Sequence, residues 1–288
     1  MSIRPLTYKK VYVNSKYRTT NSHGISDFQI ELRETFEIPD GTIMQIHELA
    51  IPNTWYSINE NNRNMYFQHR VLAPATPTGT TFIRIEIPLG NYTPPELAST
   101  IQRELNFLFD VTGRENTYTV AYNTISNKIT IESNYTEIVF IVLPDSMIAT
   151  NVGSFSNNVE LNNLNSINSV LNTPIPLDFS TSTVPWESGF INLLAHQDIY
   201  ISCPELSNNN FHSPSTFSNA IVKKIPVNAS FASIINDPYG VTDYDYVNVS
   251  RRSIRKLTFR ITDEIGNLIN FNGVNLSFSL LFHNTDAS

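Results

Sequence analysis

Leu257-Thr-Phe-Arg-Ile-Thr262 and Asn275-Leu-Ser-Phe-Ser-Leu-Leu-Phe282 carry the alternation that decides the fold. In the first, Leu257, Phe259 and Ile261 fall on one face and Thr258, Arg260 and Thr262 on the other. In the second, Leu276, Phe278, Leu280 and Phe282 oppose Asn275, Ser277 and Ser279. A two-residue period with one apolar face is the mark of a half-buried strand. Turn formers lie between them, Asp263-Glu-Ile-Gly-Asn-Leu-Ile-Asn-Phe-Asn-Gly273, so this C-terminal segment is expected to fold as an antiparallel pair.

The same period recurs at the other end of the chain in Asp27-Phe-Gln-Ile-Glu-Leu32. Further strands are expected at Lys10 to Asn14, Thr42 to Ile51, Gly189 to Leu194, Gln197 to Cys203 and Asn219 to Val227, separated by Pro, Asn, Ser and Asp clusters. Eight such strands with long connections suit a mainly β protein, a single jelly-roll antiparallel sandwich that buries one face of each sheet.

Residues 78–172 have a different pattern. Phe82 to Ile87 alternates, and Thr93-Pro-Pro-Glu96 then marks a helix start, because the hydroxyl can cap, Pro is tolerated in the first turn and Glu96 can close a capping box. Leu97, Ile101, Leu105 and Leu108 form one stripe, which is expected to pack across strands at Tyr118 to Tyr122, Ile129 to Ile131 and Ile138 to Val142. Four basic and nine acidic residues in this stretch give it −5 of the chain's net −7. Its last part, Asn151 to Asn172, is rich in Asn and Ser and is expected to be a connector. The expected organisation is therefore a jelly roll in two parts, 1–77 and 173–288, with an inserted small α+β domain at 78–172.

Composition narrows the chemistry. With 19 Lys and Arg against 26 Asp and Glu, the surface as a whole is not built to coat nucleic acid or anionic lipid. The single Cys203 excludes an intrachain disulfide framework and a multi-thiolate zinc site, and its place in an apolar strand before Pro204 suits an inert buried thiol. Met1 to Lys10 lacks the apolar stretch of a secretory signal, and no run reaches the about 18 apolar residues of a membrane helix. The sequons at Asn91, Asn134, Asn228, Asn248 and Asn275 are accordingly read as chance.

His23, His47, His69, His196, His212 and His283 form no metal-binding spacing, and there is no GxSxG, P-loop or GxGxxG. Asp237, Asp243 and Asp245 share a loop but lack the spacing and terminal Glu of an EF-hand. No catalytic, cofactor or metal residue is assigned. The basic residues say more. Arg4, Lys9, Lys10, Lys16 and Arg18 all precede the first acid, Asp27, forming a positive N-terminal arm that is either solvated or set against an acidic subunit or packaged DNA. Arg251, Arg252, Arg255 and Lys256 form a second cluster, which either pairs with nearby acids such as Asp243 and Asp245 or faces a neighbouring subunit.

Four stretches together resemble the minor capsid (penton) proteins of virophages and related polinton-like viruses. They are Val13-Asn-Ser-Lys-Tyr-Arg-Thr with Ser26-Asp-Phe-Gln-Ile-Glu-Leu; Glu48-Leu-Ala-Ile-Pro-Asn-Thr-Trp-Tyr-Ser-Ile-Asn; Leu89-Gly-Asn-Tyr-Thr-Pro-Pro-Glu-Leu-Ala; and Ser250-Arg-Arg-Ser through Phe282. The third also occurs in other virion and tail proteins. The resemblance implies a non-enzymatic virion protein made in the host cytoplasm or a cytoplasmic viral factory. A homopentamer would close a fivefold vertex among major capsid proteins, with the insert outward. The basic arm would lie inside against major capsid protein or DNA, and a host receptor or glycan could bind at the insert.

Two other classes compete. A glycan-binding β-sandwich adhesin should expose aromatic platforms, with Trp55 or Trp186 as candidates, although Trp55 beside an alternating strand suits a core or interface better, and the Leu89 stretch leaves a virion tail or fibre protein open as well. A jelly-roll hydrolase should show paired carboxylates in a cleft.

Overall fold

The computed structural model describes residues 8–71, 81–111, 117–134, 138–150, 166–174, 185–207, 220–236 and 246–284. In chain order the strands and helices are β1 (Tyr8–Asn14), β2 (Asp27–Ile38), β3 (Thr42–Pro52), β4 (Asn64–Val71), β5 (Thr81–Glu86), α1 (Pro94–Val111), β6 (Tyr118–Asn123), β7 (Lys128–Ser133), β8 (Ile138–Val142), α2 (Asp145–Thr150), α3 (Asn168–Leu171), β9 (Trp186–Glu187), β10 (Asp198–Ser202), β11 (Ile221–Pro226), β12 (Ile234–Ile235), β13 (Val247–Asn248), β14 (Arg252–Thr262) and β15 (Ser277–Asn284). The protein is mainly β, and its ladders are antiparallel. The chain divides into two compact units, one of residues 1–55 with 196–288 and one of residues 56–195.

The first unit has two sheets. One runs β1-β15-β3-β12, with β13 also on β3; the other runs β11-β10-β14-β2. Alternation explains the pairing: β14 buries Leu257, Phe259 and Ile261, and β2 buries Phe28 and Ile30. Rings from the two sheets then meet. Phe36 of β2 stands edge-on to Phe282 of β15 at 5.0 Å, and Phe259 of β14 edge-on to Phe278 of β15 at 5.1 Å. The offset quadrupoles of such edge contacts add to the apolar area they bury.

The expected C-terminal pair is corrected here. β14 and β15 do not pair with each other; β14 lies between β10 and β2, and β15 between β1 and β3. Residues 263–276 are long enough to carry the chain from one sheet to the other. Their apolar faces therefore meet across the core instead of side by side.

The second unit holds two three-stranded sheets, β5-β4-β8 and β6-β7-β9. Leu97, Ile101 and Leu105 of α1 are fully buried with Tyr118, Ile129, Ile131 and Phe140. Side chains of the helix also tie it to β6: Asn106 accepts from Tyr118 N–H at 2.7 Å and Gln102 Oε1 from Val120 N–H at 2.8 Å. At the helix start, both the N–H and the hydroxyl of Thr93 donate to Glu96 at 2.8 Å, so the reciprocal half of the capping box forms and the hydroxyl faces the carboxylate.

Two boundaries differ from expectation. β4 pairs with β5 and β8, and Trp186 of β9 pairs with Ile131 of β7, so residues 56–77 and 173–195 group with the middle unit and not with the sandwich strands. Gly189 to Leu194 is not a strand. Its amides go to separate elements, Ile191 N–H to Asn127 O at 2.9 Å and Asn192 N–H to Val170 O at 2.8 Å. Gly189 sits so close to Asn172 that a Cβ there would lie 2.4 Å from its carbonyl oxygen. Of the expected connector, residues 151–165 fall outside the described residues, while Ile167, Val170 and Leu171 are buried in the unit's core.

Candidate interaction surface

Of the N-terminal stretch, Tyr8–Asn14 is a strand. β1 pairs with β15 in an unbroken register from Tyr8 opposite His283 to Asn14 opposite Ser277. Val13 points into the core at 1% exposure, so the opposite parity, Tyr8, Lys10 and Tyr12, lies on the outer face. Tyr8 is 53% exposed, and Tyr12 and Tyr17 are each 74% exposed. A turn of 3-10 helix, Ser15–Tyr17, follows, started by Asn14, whose side chain accepts from Lys16 N–H at 2.8 Å. Ser15 anchors it, with its N–H on Leu276 O at 3.0 Å and its hydroxyl on Asn275 at 3.1 Å.

On the far side of β15, β3 carries a bulge, where its pairing with β15 skips between Ser277 and Ser279. Glu48 sits in it with φ +49°, a left-handed backbone that L residues adopt at a cost. The bulge turns the Glu48 carboxylate onto Lys10 Nζ at 2.5 Å and onto the Ser279 hydroxyl at 3.2 Å. The hydrogen bond from Lys10 is the main cause that holds this carboxyl below its ordinary range. Tyr12, Asn14, Tyr17, Glu48, Ser277 and Ser279 line a groove of about 370 Å³.

The predicted basic residues are placed unevenly. Arg4 lies outside the described residues. Lys9 Nζ stands 4.1 Å above the Phe36 ring, Lys10 pairs with Glu48, Lys16 is exposed, and Arg18 donates to Ser15 O at 3.0 Å. These four share one edge of the sandwich. The arginines of the second cluster are spent within the unit, while Lys256 is exposed: Arg251 pairs with Asp40, Arg255 with Glu31 at 3.0 Å, and Arg252 donates to the carbonyls of Glu205 at 2.6 Å and Ser207 at 3.1 Å. The acids that meet it are Asp40 and Glu31; Asp237, Asp243 and Asp245 fall outside the described residues.

Groups that could have carried other chemistry are buried. Trp55 is 5% and Trp186 8% exposed, so neither forms a platform. Cys203 is fully buried, and burial, with Glu205 beside it, pushes its thiol well above the ordinary range. Each of three surface grooves, of about 280, 370 and 450 Å³, is lined by a single carboxylate, Asp27, Glu48 and Asp145 respectively. None therefore presents the pair that glycoside hydrolysis needs. Among the described residues no cluster of three or more His, Cys, Asp or Glu could hold a metal ion, and no helix is long and apolar enough to cross a membrane.

The exposed tyrosines and the Glu48 bulge are what reading the basic residues alone overlooks. The inward parity of Val11 and Val13 was the available signal, since it forces Tyr8, Lys10 and Tyr12 outward.

Comparison with known proteins gives three results. No curated protein matches. Among solved structures, the mavirus penton protein aligns over 96% of this chain and 99% of its own, at 13% identity and a TM-score of 0.48. A chain of the Sputnik virophage structure aligns over 97% of this chain and 98% of its own, at 11% identity and a TM-score of 0.45. The family of unknown function DUF5901 matches residues 6–233, which take in strands of both units, and the chain belongs to that family.

Proposed function

We propose that this protein is a structural subunit of an icosahedral virion, five copies of which close a fivefold vertex, and that its sandwich unit is a jelly roll carrying residues 56–195 as an inserted, outward-facing domain. The observation that carries the reading is the strand order. Sheets ordered β1-β15-β3-β12 and β11-β10-β14-β2 put the first strand beside the last and split each consecutive pair β1/β2, β2/β3, β11/β12 and β14/β15 between two sheets. A jelly roll is wound in this way, with two four-stranded sheets and connections that pass from one to the other. The chain leaves this body after β3 and returns at β10, so residues 56–195 occupy a single connection.

Of the four stretches that resemble penton proteins, three lie on this framework, at β1 with the start of β2, the end of β3, and β14 through β15, and one lies in the middle unit at the start of α1. A vertex subunit needs a rigid β body with flanks that meet neighbours by cyclic symmetry, and needs no reacting groups. The buried Trp55, Trp186 and Cys203 and the single-carboxylate grooves suit that role better than an adhesin or a hydrolase. In the particle the basic N-terminal edge, with Arg4, Lys9, Lys10, Lys16 and Arg18, faces inward towards major capsid protein or packaged DNA. The middle unit is the place for a receptor or glycan.

Negative-stain microscopy of the purified chain, and of particles reconstituted with the major capsid protein, tests the reading. Five-membered rings, or density for one ring at each vertex, are expected. Dimers or fibres from the purified chain, or particles whose vertices lack it, overturn the assignment.

A further inference from the structure

We propose that the outer edge of β1 is a docking edge, which takes an extended acidic segment of a partner polypeptide as an added strand. This inference stands apart from the vertex reading, because it follows from the geometry of one sheet edge.

The backbone comes first. Ser15 N–H donates to Leu276 O, and the register from Asn14 back to Tyr8 against β15 is unbroken. In an antiparallel ladder, alternate residues turn their N–H and C=O to the partner and the others turn theirs away. Counting back from Ser15, Val13, Val11 and Lys9 face β15. Tyr8, Lys10, Tyr12 and Asn14 therefore present donors and acceptors outward, and among the described residues β1 has β15 as its one strand partner.

Natural sheets blunt such edges with short strands, bulges or Pro, because an open edge recruits strands. The other edges of this unit are blunted. β12 has two residues, β11 ends in Pro226 and pairs through a register break, and in β2 the residues from Leu32 to Thr35 drop out of the ladder with β14. β1 runs 7 residues with no Pro and no bulge.

Side chains then select the occupant. Exposed Tyr8 and Tyr12 stand on the face along the open edge, and Tyr17 extends that surface past the strand's end, offering rigid aromatic area of the kind that anchors protein interfaces. Lys9, Lys16 and Arg18 have no ion pair to a described carboxylate, while Lys10 neutralises Glu48. The edge is thus net positive and complements acidic side chains on the incoming strand. Main-chain pairing supplies the affinity and alternate side chains the selection. Nucleic acid would use the tyrosines, the cations and, through its phosphates, the outward N–H groups, but acceptor-only phosphates offer the outward carbonyls no donor, whereas an added strand answers both.

The probe is a capped peptide of alternating glutamate and valine, matched to the 7 residues of β1 and titrated into the full chain. Amide NMR signals of Lys10, Tyr12 and Asn14 should shift and gain exchange protection. The same peptide N-methylated at alternate residues should bind about tenfold or more weakly, since charge is kept and ladder bonds are lost. Tyr12→Pro should weaken binding by a similar factor with little change in Tm, because the N–H it removes points outward. Absence of peptide binding, binding indifferent to N-methylation, or binding of an oligothymidylate in place of the peptide overturns the proposal.

Discussion

The indole of Trp55 meets the imidazole of His196 edge-on, with ring centroids 5.5 Å apart. Trp55 is the last residue of the sandwich unit before the chain departs and His196 the first on its return. Phe271 meets the same indole edge-on at 6.0 Å. Burial holds His196 below its ordinary pKa of 6.5, and the nearby Asp263 offsets this in part. The unfolded chain therefore takes up this proton at a higher pH than the folded chain. The stability tied to neutral His196 is complete above pH 6.5 and is lost as pH falls through that value towards the depressed folded one. His196→Phe, which keeps a ring against Trp55, should show a flatter Tm between about pH 7 and pH 5 than the native chain. Parallel curves would mean that His196 does not set the acid limb.

Glu264 gives the opposite slope. Burial, with Asp263 and Asp198 nearby, raises its carboxyl above 4.5, and its Oε2 is buried without a hydrogen-bond partner. At neutral pH the folded state thus carries a poorly solvated charge, and that penalty is relieved as pH falls through the raised value. Glu264→Gln should raise Tm at pH 7, with the gain disappearing towards pH 4.5, where the native side chain is itself protonated. Thermal unfolding of both proteins across that range measures it.

Arg251 pairs with Asp40 on the surface while its backbone holds φ +58°. An exposed pair contributes little, whereas glycine adopts this conformation freely. Arg251→Gly should therefore leave Tm unchanged or raise it. A marked fall would show that the pair anchors the start of β14. If the same variant still enters particles, its charge is not a subunit contact.

Much of this architecture is legible in the residues. Alternation in Phe28-Gln-Ile30 and in Leu257 to Ile261 marks buried faces correctly, and Leu97, Ile101 and Leu105 identify the helix face. Alternation tells a strand which side is wet, but not which strand lies next to it. For that reason β14 and β15 read as neighbours although they belong to opposing sheets. The edge of the middle unit is hidden for a different reason. β4 has no alternation, since Met65, Tyr66, Phe67 and Gln68 are buried in succession, so it is not among the expected strands and its pairing with β5 and β8 assigns it. The Glu48 bulge leaves no mark in composition, because its left-handed backbone follows from the break in the β3 and β15 register.

The opposition of β14 and β15 leads to the last prediction. Phe259 is fully buried and touches Phe28 in its own sheet at 5.4 Å and Phe278 in the facing sheet at 5.1 Å. Removing it opens a cavity that both sheets line, and neither can collapse into it without breaking its own ladder. Phe259→Ala should cost about 3–5 kcal/mol. Tyr12→Ser, on the exposed outer face, should change stability by about 0.5 kcal/mol or less. Urea unfolding of the two variants measures both. If Phe259→Ala instead changed stability as little as Tyr12→Ser, Phe259 would not lie between two packed sheets, and the two-sheet core would have to be abandoned.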